Sequence, residues 1–194
     1  MDQRLTELLA KQDIYEVIAR YARAIDRLDE AMLRGVFHPH STHNHFYQGP
    51  SSQPDRPAMD DDPGDFVRFA LQVLSTYSRT QHQLGNTLIE LTGDGTATAE
   101  TYFTAFHRMR PIGDPLAGPD AYETEMDFFV AGRYLDRFEC AEGRWKIAHR
   151  TGMTDWIRIE APASKGTAGI DQTTVGQRLP DDLVYQFITV GASN

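Results

Sequence analysis

Near residue 80 the hydrophobic repeat of this chain changes from helical to strand-like, and few folds accommodate that order of elements. Before this point apolar residues recur every three or four positions: Ile14, Val17, Ile18, Tyr21 and Ile25, with a similar stripe beginning at Leu5, Leu8 and Leu9, then Met32, Leu33, Val36 and Phe37, then Phe66, Phe69, Ala70, Val73, Leu74 and Tyr77. Beyond it the repeat is two, and Ala97, Ala99, Thr101, Phe103, Ala105 and His107 share one face of a strand over 96–109. The spacing predicts a helix over about 4–26, with Lys11–Asp13 as the place where it would break. A second helix starts from Asp29 as N-cap and ends before Pro39, and a third is capped by the acidic run Asp60–Asp62. A short strand is expected at 43–47 and a loop at 49–64. Strands then follow at 81–91, 96–109, about 124–140 and 144–160, separated by Gly93-Asp94-Gly95, by a proline-rich loop at 110–122, and by a turn at 141–143. Three helices ahead of a meandering antiparallel sheet give an α+β fold in which the helices plug one face of a curved sheet.

The text changes again after Ala161 to small and polar residues, so the chain divides into a domain at 1–160 and a C-terminal extension at 161–194. Pro180-Asp181-Asp182 introduces a short helix carrying Leu183, Val184, Phe187 and Ile188. The extension is read as a lid or an oligomer arm.

Among 194 residues, 40% are hydrophobic and 24% charged, as in ordinary globular proteins, and the formal net charge is −9 with no basic run. That balance argues against nucleic acid and anionic membrane surfaces as partners, since both demand clustered cations. Cys140 is the one cysteine, so neither an internal disulfide nor a thiolate metal cage is available. No apolar run approaches a membrane span, and the first residues alternate polar with apolar, unlike a secretory signal; the expected location is cytoplasmic.

Asp26 closes the first helix, roughly 120° around the axis from Ile14 at about 100° per residue, and so borders the apolar face. His82 opens the first long strand. Should the two meet in one pocket, the imidazole would be a base and the carboxylate would hold its tautomer, chemistry that requires no cofactor. The competing readings are a solvated helix end for Asp26 and a helix-capping or core-bonded histidine for His82. Tyr21, in the apolar stripe, is either plain core or a hydrogen-bond donor.

The segments YARAID, VFHP, QHQLGN, GRYLDRFE and WKIAHRTG, in that order, resemble the SnoaL-like branch of the nuclear transport factor 2-like superfamily over roughly residues 5–160. The resemblance implies a cone: a strongly bent antiparallel sheet around helices, with a deep apolar pocket. Within that group it points to the subgroup of scytalone dehydratase, bile acid 7α-dehydratase and hexachlorocyclohexane dehydrochlorinase, which pairs an Asp at the end of the first long helix with a His opening the strand after the third. Asp26 and His82 hold those positions, and Tyr21 matches a tyrosine of the bile acid enzyme. The implied activity is a cofactor-independent lyase of dehydratase type acting on a hydrophobic, ring-containing small molecule. Carbon–carbon cleavage releasing formaldehyde, or an isomerase or polyketide cyclase, would use the same base, and a binding or assembly subunit would use none of it, because the fold alone does not fix function. By analogy the chain is expected to form a homodimer or homotrimer.

Further pocket candidates are His45 with Tyr47, where such dehydratases place an aromatic hydroxyl, and the strand aromatics Phe103, Phe128 and Tyr134. His149 is expected to face the core if Trp145 and Ile147 do, leaving Arg150 pointing the other way in a structural role. His43 and His45 share a strand face, but no third ligand at a recognised spacing accompanies them, so no metal is assigned. GDGTAT at 93–98 lies between strands with no following helix and is no phosphate loop; no Gly-x-Ser-x-Gly elbow is present, and Cys140 has no nearby histidine partner in sequence.

Overall fold

The computed structural model describes residues 3–45, 63–93, 95–162, 167 and 169–188. Helix α1, Gln3–Arg27, runs unbroken through Lys11–Asp13, a stretch with no Gly or Pro to interrupt it. Its buried stripe is Ile14, Val17, Ile18, Tyr21, Ala24 and Ile25; Leu5, Leu8 and Leu9 keep the helical spacing yet remain exposed. The helix ends in a tight reversal. Leu28 adopts a left-handed backbone, φ 53°, while the Asp29 N–H reaches back to the Ala24 carbonyl at 2.9 Å. Asp29 then caps helix α2, Glu30–Val36, by accepting from the Met32 N–H at 3.0 Å. This one-residue hinge fixes the direction in which Asp26, two residues earlier, presents its side chain.

Strand β1, Phe37–His45, begins earlier than the sequence pattern suggested, and Phe37 belongs to it, buried at 2% exposure. Pro39 is tolerated inside the strand because the register with its neighbour slips between Phe37 and Thr42. Helix α3, Pro63–Ser75, precedes strands β2, Tyr77–Gly93, β3, Thr96–Met109, β4, Met126–Ala141, and β5, Arg144–Glu160. The segment expected to form the 49–64 loop lies outside the described residues up to Asp62, and so do Asp60–Asp62 and Asp94.

The five strands form a single sheet in the order β1-β5-β4-β3-β2. The consecutive pairs β2–β3, β3–β4 and β4–β5 are antiparallel, but β1 joins β5 in parallel, so the sheet is mixed and not wholly antiparallel as expected. The reason is topological: no turn links β1 to β5, so the geometry of a hairpin does not dictate their relative direction. Helix α1 touches both β2 at one edge and β5 near the other, which requires the sheet to curl around it. The core inside this curl joins the stripe of α1 to Phe66, Val67 and Leu74 of α3 and to the inward row of β3, where Ala97, Ala99, Thr101, Phe103, Ala105 and His107 are all buried as the period of two required.

Strand β5 departs from strict alternation. Phe138 pairs with Ile147 and Arg137 with His149, so Ala148 is an extra residue in the ladder, a β-bulge. Side chains beyond it exchange faces: Ile147 and Arg150 are fully buried, while His149 turns outward to hydrogen-bond Thr42 and Thr151. The expectation for this pair is thereby reversed, and the cause is one inserted residue that hydrophobic spacing does not announce.

After β5 the extension contains a 3-10 turn, Gln172–Thr174, and a short helix α4, Val184–Ile188. Among the described residues no helix is long and apolar enough to cross a membrane.

Candidate active site

Asp26, at the last turn of α1, is 8% exposed, and His82 comes from the facing strand β2. The His82 ring Nδ1 lies 2.8 Å from Asp26 Oδ1, and the His82 backbone N–H donates to Oδ2 at 2.7 Å. Both oxygens of the carboxylate are therefore committed to one residue, which fixes the ring as well as the strand that carries it. Burial works to raise the Asp26 pKa, but the hydrogen bonds and positive charge supplied by His82 outweigh it and hold the carboxyl below its ordinary range. An ionised Asp26 needs a donor at Nδ1, so the ring carries its proton there and Nε2 is left as the basic atom.

The cavity beside the pair has a volume of about 170 Å³. An apolar cavity of about 150 Å³ accepts benzene, so a six-membered ring fits this one. Tyr21 and Ile25 of α1, Phe66, Phe69, Ala70, Val73 and Leu74 of α3, Tyr77 and His82 of β2, Phe103 and His107 of β3, Phe128, Val130 and Tyr134 of β4, and Gly152 to Thr154 with Ile157 of β5 line it. No Lys, Arg, Asp or Glu lines it among the described residues. Phe103 and Tyr134 stack at 4.3 Å with planes 11° apart, forming a flat wall, and Tyr21 meets Tyr134 edge-on at 5.5 Å.

His107 stands opposite His82, ring centroids 5.3 Å apart and nearly perpendicular. Burial, with repulsion from His82 and Arg178, lowers its pKa to about 3, so it is a neutral imidazole in any ordinary buffer. Its Nδ1 is buried and has no side-chain hydrogen-bond partner among the described residues, while the ring as a whole lines the cavity. His107 had shown itself in the sequence only as the last inward position of β3; its place 25 residues after His82 carried no signal until the hairpin register set Ala105 against His82.

Arg150 was read as structural and outward-facing; it faces inward. Its guanidinium is bidentate to Asp136 at 2.6 and 2.6 Å, and its Cζ lies 4.0 Å from the Tyr21 ring centroid and 4.2 Å from that of Tyr134. Burial opposes its charge, yet Asp136 more than compensates and holds the pKa above the ordinary value. Burial likewise raises the pKa of Tyr21 against the pull of Arg150, so Tyr21 is a neutral phenol able to donate.

Of the residues expected at the site, the fold brings Asp26, His82, Tyr21, Phe103, Phe128 and Tyr134 together. His149 is on the opposite face, in a wider depression lined also by Glu90, Glu100, Arg133 and Arg137, whose charges form ion pairs such as Arg133–Glu100 at 3.0 Å. The backbone of His45 pairs with Gly152, which lines the cavity, but its side chain and all of Tyr47 lie outside the described residues. His43 is 1% exposed and stacks on Phe66 at 3.9 Å. No group of three His, Cys, Asp or Glu among the described residues is placed to hold a metal ion.

A helix-filled, curled sheet around an aromatic cavity, with His82 on its wall and Asp26 hydrogen-bonded behind that ring, defines an α+β pocket protein. The SnoaL-like domain model matches residues 6–151, three quarters of the chain, and the protein belongs to that family. Among solved structures, a putative scytalone dehydratase from Novosphingobium aromaticivorans superposes with TM-score 0.62 at 17% identity, covering 84% of this chain and 99% of that one. A hexachlorocyclohexane dehydrochlorinase, LinA type 2, gives 0.61 at 17% identity over 86% and 97%, and a Kribbella flavida protein gives 0.61 at 20% identity over 76% and 92%. These similarities establish the nuclear transport factor 2-like fold. A search of curated proteins gave no match.

Proposed function

We propose that the protein is a lyase that eliminates water from an uncharged, hydrophobic, ring-containing small molecule, with His82 as base. The observation that carries this is the hydrogen bond between Asp26 and His82 Nδ1, with the His82 side chain on the wall of an apolar cavity. In this reading His82 Nε2 takes a proton from a ring carbon, and the C–H electron pair becomes the new C=C bond as the C–O bond to the hydroxyl on the neighbouring carbon breaks. Asp26 stabilises the imidazolium that forms. Tyr21 donates a hydrogen bond to the departing oxygen, which leaves as water on receiving the proton from the imidazolium. A carbonyl or hydroxyl elsewhere on the ring hydrogen-bonds the neutral His107. The C–H pair becomes the new C=C bond and the C–O pair leaves with the oxygen, so the step is redox-neutral and calls on no oxidant or reductant. The similarity of the fold to a putative dehydratase and a dehydrochlorinase supports elimination as the reaction class.

The test is a panel of cyclic β-hydroxy ketones and hydroxylated aromatic precursors incubated in D2O and followed by mass spectrometry. Loss of water catalysed by wild type and reduced by about 10²–10⁴-fold in His82→Ala supports the lyase. Deuterium incorporation without loss of a leaving group would instead assign an isomerase or cyclase, and turnover unchanged by His82→Ala would remove the base.

A further inference from the structure

The C-terminal extension lies outside the matched family domain, and among its described residues none lines the cavity. It docks behind the Asp26–His82 pair. Arg178 Nη1 donates to the backbone carbonyl of Asp26 at 2.9 Å, and Nη2 reaches the carbonyls of Leu74 and Tyr77 at 3.4 Å each. The next residue, Leu179, donates its N–H to the Arg27 carbonyl at 2.9 Å. Helix ends leave carbonyls without intrahelical partners, and here one guanidinium and one amide satisfy those of α1 and α3 together. Secondary contacts hold the extension in place: Arg27 Nε lies 2.9 Å from Asp182, Asp182 also accepts from the Gln177 and Val184 N–H groups, and the Tyr185 hydroxyl donates to Asp29 at 3.0 Å.

We infer that Arg178 is a positioning residue for the Asp26–His82 pair. The inference rests on the reading of that pair as the base. Arg178 holds the three elements on which the pair depends: the end of α1 that carries Asp26, the end of α3 that supplies the cavity wall, and Tyr77 at the start of the strand that carries His82. A lysine could not replace it fully, because three acceptors in different directions need the forked guanidinium. Displacements of about 1 Å at a reacting group cost roughly 10²-fold in rate, so a clamp at this joint acts on chemistry and not only on folding.

The experiment reads the pair directly and needs no substrate: proton NMR of the His82 Nδ1–H and backbone N–H, both of which end on Asp26. In wild type both are expected to exchange slowly with solvent, and both are lost or fast in Asp26→Ala. A wild type in which Asp26→Ala changes neither proton would overturn the pair itself, whatever Arg178 does. With the pair intact, Arg178→Gln accelerates both exchanges by about tenfold or more, the scale of a lost charge-assisted hydrogen bond, and Arg178→Lys gives an intermediate rate. Tyr185→Phe, which loosens the extension without touching the Arg178 contacts, leaves both protons at the wild-type rate. Exchange in Arg178→Gln equal to wild type, or Tyr185→Phe accelerating it as much, overturns the positioning role. Should Arg178→Gln not fold, Arg178→Lys is read against Tyr185→Phe by the same criterion.

Discussion

His107 and Asp26 are both buried titratable groups, but they make the molecule sensitive to acid in different ranges. The His107 pKa is depressed to about 3 in the folded chain, against about 6.5 when unfolded. Between those values the unfolded state binds the extra proton, so its contribution is complete above about pH 6.5 and falls by up to about 1.4 kcal/mol per unit as pH drops toward 3. Urea unfolding at pH 7 and pH 4.5 should show this loss in wild type, and His107→Gln should flatten it. Asp26 acts lower. Its folded pKa is below the unfolded one, so its stabilisation is present above about pH 4 and disappears as acid protonates the folded carboxyl. Neither residue was equally legible. Asp26 ended a helix whose stripe had just run out and could be singled out from spacing, whereas His107 was one more inward position on a strand, and its meaning came from the residue paired across from it.

At the scale of elements, the bulge at Ala148 is the decisive local event, because it turns Arg150 rather than His149 into the core. Arg150 and Asp136 are both fully buried, so removing one partner leaves an uncompensated charge in an apolar interior. Asp136→Ala should cost about 3–5 kcal/mol in denaturant unfolding, while the double change Arg150→Met with Asp136→Leu should recover much of that loss. A second β5 irregularity lies opposite Gly132. The register shifts between Ala131 and Gly132, and a Cβ at Gly132 would fall 1.9 Å from the Met153 carbonyl oxygen. Backbone cannot yield as a flexible side chain does, so Gly132→Ala should destabilise by about 1–3 kcal/mol or prevent folding, read by the same unfolding curves.

For the whole molecule, the curl of the sheet around α1 creates a chamber whose walls come from α1, α3 and four strands, far apart in sequence. Such a chamber should bind small uncharged aromatic compounds regardless of any turnover. A neutral single-ring phenol at 100 times its Kd should stabilise the fold by about 2.7 kcal/mol, visible as a rise in Tm. Its carboxylate analogue should give no rise, since no cation among the described residues lines the cavity to offset the loss of hydration. An equal rise with both would point to binding elsewhere on the surface.

The order of helices and strands, the inward row of β3 and the N-cap at Asp29 were determined by the sequence itself, because periodicity and capping are local properties of the chain. Resemblance to a known family added the cone and the pairing of the dyad. The tertiary structure alone decided the rest. The parallel seating of β1 on β5 followed from strands with no connecting turn, and the exchange of His149 for Arg150 from a bulge that adds one residue to a ladder. The docking of Arg178 on the carbonyl of Asp26 joins residues 152 positions apart. Each depends on contacts distant in sequence, whose energies no local pattern encodes.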